Sequence, residues 1–167
     1  MSSPVPQGSV NDGPWPLLVI PVHDDDSFWK LTYLPDGRRV VTGSSGGTVK
    51  VWNLENGGKE GTSTEHENRF IINLAVTRDG TKIISSGEEG RVKVWDVKSH
   101  KLVREWEPEG YPKIAISPDD RFVAVGSRNV VKLYSMEGGQ VNQSIDIGDD
   151  EEFIRCMSFS PNGDKLA

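Results

Sequence analysis

Residues 91–96 read RVKVWD, and residues 48–53, 43 positions earlier, read TVKVWN. Working outward from this pair, the same interval recurs. His23, Asp36-Gly37 and Trp52 return as His66, Asp79-Gly80 and Trp95, and LPDGRRVVTG at 34–43 returns as TRDGTKIISS at 77–86. A looser third copy follows, with SPDDRFVAVG at 117–126 and VVKLYS at 130–135. A fourth opens at Phe153 with FIRCMSFSPNGDKLA and runs to Ala167. A fixed interval of this size marks a repeat architecture.

Inside each copy the period falls to two. Val49 and Val51 flank Lys50, and Val92 and Val94 flank Lys93, the pattern of half-buried strands. Turn signals separate the strands: Asp36-Gly37, Asp79-Gly80, Gly46-Gly47, Gly57-Gly58, Gly138-Gly139 and Asn162-Gly163. No stretch sustains a helical period. Each copy therefore reads as four short antiparallel strands, in the first copy near 28–34, 38–43, 48–53 and 59–64.

A four-stranded unit of this length, closing its third strand on Trp-Asp or a near variant, resembles the WD-repeat family. Trp95-Asp96 is the full signature, and Trp52-Asn53 and Tyr134-Ser135 are variants of it. The resemblance covers residues 17–167. It implies an all-β fold of antiparallel four-stranded blades set around a central channel as a β-propeller. The expected layout is a disordered segment over 1–16, a strand over 17–22, blades near 24–64, 66–107 and 111–147, and a partial blade over 153–167. About three and a half blades do not make a ring, so the chain reads as an incomplete propeller. Self-association through unpaired blade edges is one expectation that follows.

The resemblance also implies a hydrogen-bonded tetrad: a His ahead of the first strand, a hydroxyl in the second, an acid in the next turn and the Trp of the third. The second copy offers His66, Ser85, Glu89 and Trp95, with Glu89 where the family has Asp. The first offers His23, Thr42 and Trp52, with Gly46 in the acid's place. The third has Val125 and Tyr134 and no His. The set is expected to be structural, since a buried indole N–H and a hydroxyl need partners. Trp52, Trp95 and Tyr134 are expected to anchor the core. Trp106, at the end of an outer strand, is expected to be less buried than Trp95.

Composition narrows the function. The chain has 167 residues and a formal net charge of -6, which disfavours general nucleic-acid binding. The start, residues 1–13, lacks the basic and apolar regions of a secretory signal. No apolar run approaches the roughly 18 residues of a membrane span. Cys156 has no second cysteine to pair with. These features lead to an expectation of cytoplasmic or nuclear location. No metal site or cofactor is expected. His23, His66 and His100 lack paired spacing, and GGKEGTS at 57–63 lacks the Gly-Lys-Ser/Thr of a phosphate loop.

On a propeller, the loops from outer to inner strands and from second to third strands share the top face. They carry more than half of the 25 acids: Asp24, Asp25, Asp26, Glu65, Glu67, Glu88, Glu89, Glu107, Glu109, Asp149, Asp150, Glu151 and Glu152. Few bases accompany them, chiefly Arg69, Arg128 and Arg155. Such asymmetry bears on association rather than on fold. The resemblance implies a protein-interaction scaffold without catalysis. Its candidate partner-binding residues are Trp29, Phe70, Arg128, Phe153 and Arg155, ringed by Asp149, Asp150, Glu151 and Glu152, and its partners are other proteins, with a basic segment favoured. Two alternatives stand beside it: a propeller-type hydrolase or enzyme-associated subunit, and a non-functional truncated product.

Overall fold

The computed structural model describes residues 27–63, 66, 67, 69–148 and 154–167. The expected strand over 17–22, His23, Asp24–Asp26, Glu65 and Asp149–Phe153 lie outside the described residues.

Twelve strands form three four-stranded antiparallel sheets. The first blade holds β1 (Phe28–Tyr33), β2 (Arg39–Ser44), β3 (Val49–Asn53) and β4 (Lys59–Ser63). The second holds β5 (Ile71–Val76), β6 (Lys82–Gly87), β7 (Val92–Asp96) and β8 (Leu102–Trp106). The third holds β9 (Lys113–Ile116), β10 (Phe122–Ser127), β11 (Val130–Ser135) and β12 (Val141–Asp146). Within each sheet the strands neighbour one another in chain order. The signature residues share one register: Val40 faces Trp52, Ile83 faces Trp95 and Val123 faces Tyr134. In residues 154–167 only a single bridge, Phe159 to Leu166, carries the pattern on.

The turns repeat as the strands do. The residue after the signature aromatic caps the turn into the outer strand. Asp96 Oδ1 accepts the Ser99 backbone N–H at 2.9 Å, Asn53 Oδ1 accepts that of Glu55 at 2.8 Å, and Ser135 Oγ accepts that of Gly138 at 3.1 Å. Asp, Asn and Ser are interchangeable here because each offers an oxygen to its own turn. Asp96 also accepts from Lys82 Nζ at 2.7 Å, and this contact holds its carboxyl far below the ordinary carboxylate range.

The core lies between blades rather than within one. Val41, Val49 and Val51 of the first blade pack against Ile71, Ile83, Trp95 and Val97, with Leu74 and Val76 at the border. Ile84, Val92, Val94 and Trp106 of the second pack against Ile114, Val123, Val125 and Tyr134 of the third. Ala115, Ala124 and Val131 of the third receive Ile154, Met157, Phe159 and Leu166. This stacking corrects one expectation. The Val-Lys-Val alternation reads as a strand with one wet face, yet Lys50 and Lys93 are buried. Middle strands are covered on both sides, so these lysines are enclosed with their neighbours. Lys93 Nζ stands 3.8 Å from Glu105 Oε1.

Candidate functional site

Two sets of polar and aromatic residues come together on this frame, one inside the second blade and one on its top face.

The inner set is His66, Ser85, Glu89 and Trp95. His66 precedes β5, Ser85 lies in β6, Glu89 in the β6–β7 turn and Trp95 in β7. Trp95 Nε1 donates to Ser85 Oγ at 2.8 Å, and His66 Nε2 lies 2.7 Å from the same hydroxyl. His66 Nδ1 in turn meets Glu89 Oε1. The geometry joins all four into one chain of hydrogen bonds, and His66, Ser85 and Trp95 are buried. Glu89 fits where a shorter acid is expected because residue 87 is glycine. A Cβ there would collide with the Glu89 carboxylate. That local glycine is the sequence signal that the tetrad could accept Glu. Glu89 therefore leaves the acidic rim to which its loop position assigned it, since its side chain is almost wholly enclosed.

In the first blade Trp52 Nε1 donates to Thr42 Oγ1 at 2.9 Å, the same indole–hydroxyl pair one repeat earlier. The third blade is built otherwise. Val125 replaces the hydroxyl, and Tyr134 stacks on Trp106 with centroids 4.7 Å apart. Burial pushes the Tyr134 phenol up from its ordinary pKa. Trp106 Nε1 donates to the Gly139 carbonyl at 2.9 Å. Trp106 is thus 7% exposed against 2% for Trp95, so the expected contrast in burial is small. An outer-strand end looks peripheral in sequence, but the next blade folds over it.

The top-face set begins with Trp29 and Phe70. They are 61% and 41% exposed and meet edge to face, with centroids 5.4 Å apart. Phe70 does not turn into the core. Ile71 takes that place, packing its side chain against Gly43 of the first blade. Around them Glu67 and Glu107 face solvent, both within reach of Arg91 Nη1 or Nη2 at 3.6 and 3.2 Å. Arg128 sits in the β10–β11 turn with a left-handed backbone, φ 52°, and Arg155 follows Ile154 near it. Phe153 and Asp149–Glu152 lie outside the described residues. Among the described residues, no group of three or more His, Cys, Asp and Glu side chains is placed to hold a metal ion, and no helix is long and apolar enough to cross a membrane.

The family model described as "WD domain, G-beta repeat" matches residues 14–53 and 58–96, the first two repeats. The third blade has the same strand order and the same aromatic register. The chain belongs to the WD-repeat family. A search of curated proteins finds no match. As a WD-repeat protein it is a scaffold for protein–protein interaction, and its partners are other proteins. The one Ser–His–acid constellation among the described residues argues against catalysis. His66 and Ser85 are sealed in the blade, and the serine hydroxyl is already bonded to an indole.

Proposed function

We propose that this WD-repeat scaffold takes its partner on the top face, at Trp29 and Phe70 and along the rim to Arg128 and Arg155. The observation that supports this reading is the exposed Trp29–Phe70 pair. Two large, exposed aromatics stacked on each other are a ready anchor, and Trp, Tyr and Arg dominate interface hot spots. The acids Glu67, Glu88 and Glu107, together with the acidic run 149–152 of the sequence, favour a basic segment on the partner and speed encounter. A net charge of -6 keeps general nucleic-acid binding out of this reading.

The test uses a partner identified by crosslinking to the parent chain. Trp29→Ala with Phe70→Ala abolishes its capture while leaving the melting temperature nearly unchanged. Changing Asp149, Asp150, Glu151 and Glu152 to Lys slows association and inverts its salt dependence. Unchanged capture by the aromatic variant overturns the reading, and unchanged kinetics in the charge variant reduce the rim to a solubility feature.

Self-association is a second reading, favoured by Leu31 and Tyr33. They occupy the positions that Leu74 and Val76 fill in the second blade, where the first blade borders them, yet both are exposed. Sedimentation at rising concentration tests it, with Leu31→Lys expected to hold the chain monomeric.

A further inference from the structure

The junction between the third blade and residues 154–155 holds an open depression of about 470 Å³ lined by Tyr111, Lys113, Arg128, Ile154 and Arg155. Among the described residues its charged lining is entirely cationic. Three other depressions mix signs. One has Asp79, Asp120 and Glu137 beside Lys82 and Arg121; another has Glu109 beside Arg128 and Lys132; the third has Glu60 and Asp96 beside Arg39 and Lys98. Several cations elsewhere are engaged: Arg39 with Asp36, Lys82 with Asp96, Arg91 with Glu105, Arg121 with Asp119. Lys113, Arg128 and Arg155 have no carboxylate partner among the described residues. Tyr111 stands beside them, 54% exposed.

The backbone explains why the cations gather here. In the first two blades the loop between second and third strands has three residues, bounded by Ser44–Thr48 and Gly87–Arg91 pairing. In the third blade Ser127 pairs directly with Val130, leaving only Arg128 and Asn129. The shortened loop removes the position that Glu89 holds in the second blade and sets an arginine at its tip. The connection into the inner strand is shorter too. Lys113 lies seven residues beyond Trp106, whereas its counterpart Asn73 lies ten beyond Ser63. The segment that carries His66 in the second blade is thus cut back. Both changes delete the tetrad and open the floor on which Tyr111 and Lys113 stand.

We infer that this depression is a receptor for a phosphorylated side chain on a protein partner. Three cations suit a group that carries about two negative charges and three acceptor oxygens, and guanidinium forks match such oxygens in geometry. A lone carboxylate would leave most of that charge unanswered. A phosphoinositide surface is the competing source of phosphate. The chain's net charge of -6 and the exposed Glu67 and Glu107 on the same face set it against an anionic bilayer. The inference rests on top-face partner binding and adds the modification that this corner would read.

Fluorescence anisotropy of the whole chain tests it. The probes are short labelled peptides of Gly, Ser and Ala bearing one phosphoserine, phosphothreonine or phosphotyrosine, each with its unphosphorylated twin, and vesicles containing phosphoinositide. At least one phosphopeptide is expected to bind about tenfold tighter than its twin, with the advantage shrinking as salt rises. Lys113→Gln and Arg155→Gln each remove most of that advantage. Arg128→Asn, which tolerates the left-handed turn, does the same, and Lys98→Gln does not. A variant with Asn or Gln at positions 149–152 binds the phosphopeptide at least as tightly as the parent. Equal affinity for every phosphopeptide and its twin overturns the inference. So does parental affinity in the Lys113 and Arg155 variants, weaker binding by the neutralised variant, or capture by the vesicles alone. If the phosphate preference is absent while Trp29→Ala with Phe70→Ala still abolishes partner capture, only this inference fails and top-face binding stands.

Discussion

The second and third blades share strand order, register and inter-blade packing, but they solve the same core problem by different means. The second buries an indole and satisfies it with a hydroxyl, an imidazole and a carboxylate in series. The third buries a phenol at the same position, drops the hydroxyl for Val125, and braces the ring against Trp106 from the neighbouring blade. The fold thus needs a large flat side chain at this position more than it needs the polar relay. Where the relay is absent, an indole from the adjacent sheet supplies the packing. The cost of a buried polar network is that every member must be present. The benefit of dispensing with it is a shorter loop, free to carry Arg128.

The largest effects should come from removing either indole. Trp95→Ala is expected to cost about 3–5 kcal/mol, and Trp106→Ala about 3 kcal/mol, despite its place on an outer strand. Urea unfolding of both variants checks this. A Trp106 variant as stable as the parent would break the claim that it substitutes for the missing tetrad. Next comes His66→Ala, which leaves the enclosed Glu89 carboxylate without its partner and is expected to cost about 3 kcal/mol. His66→Ala combined with Glu89→Ala should recover part of that loss, a coupling that a double-mutant cycle reads directly. Gly87→Ala is expected to cost about 1–3 kcal/mol, because the new methyl evicts the Glu89 carboxylate. The same change at Gly126 of the third blade would instead crowd Met157 and Ile154. Tyr134→Phe should stay within about 0.5 kcal/mol, since the phenol contributes its ring rather than a bond. A loss as large as that of Ser85→Ala would mean that the third blade hides a polar network of its own.

The smallest effect is electrostatic. The hydrogen bonds from Ser117 Oγ and Arg121 hold Asp119 down to about 2, from an ordinary 3.8. A carboxylate depressed on folding stabilises the folded chain above its unfolded pKa and loses that stabilisation as pH falls through the folded one. The contribution should therefore be complete above about pH 5, fall as pH drops through about 2, and be gone near about pH 1. Asp119→Asn should flatten the acid limb of the stability curve over that window, by an amount limited by the exposure of the pair.

Much of this was legible in the sequence for a physical reason. The period of 43 repeats turn chemistry and strand alternation together, so register follows once one copy is read. The tetrad of the second blade follows from His66, Ser85 and Trp95 at their expected spacings, and the Glu-for-Asp exchange becomes understandable only with the space at Gly87. Three features escaped. Lys50 and Lys93 sit on covered faces because stacking blades bury both sides of a middle strand, which a period of two does not reveal. Trp106 is enclosed by Tyr134 and Gly139 of the next blade, which its place at a strand end does not reveal. The cationic depression draws residues from three separate stretches, Tyr111–Lys113, Arg128 and Ile154–Arg155; a scan by loops finds Arg128 and Arg155 but not that Tyr111 and Lys113 join them.

The chain-order neighbouring of strands in every sheet has a consequence for how this molecule is made. Each blade closes through hairpins of a few residues, so its pairing requires no distant segment to arrive. A blade of about forty residues leaves a ribosome in a matter of seconds at about 5–20 residues per second. Its hairpins form in microseconds. The first sheet can therefore be paired before the second has emerged, and it then offers Val41, Val49 and Val51 as a template for the next. Synthesis and folding advance in the same direction, and the nascent protein grows by whole blades, each laid against a finished one.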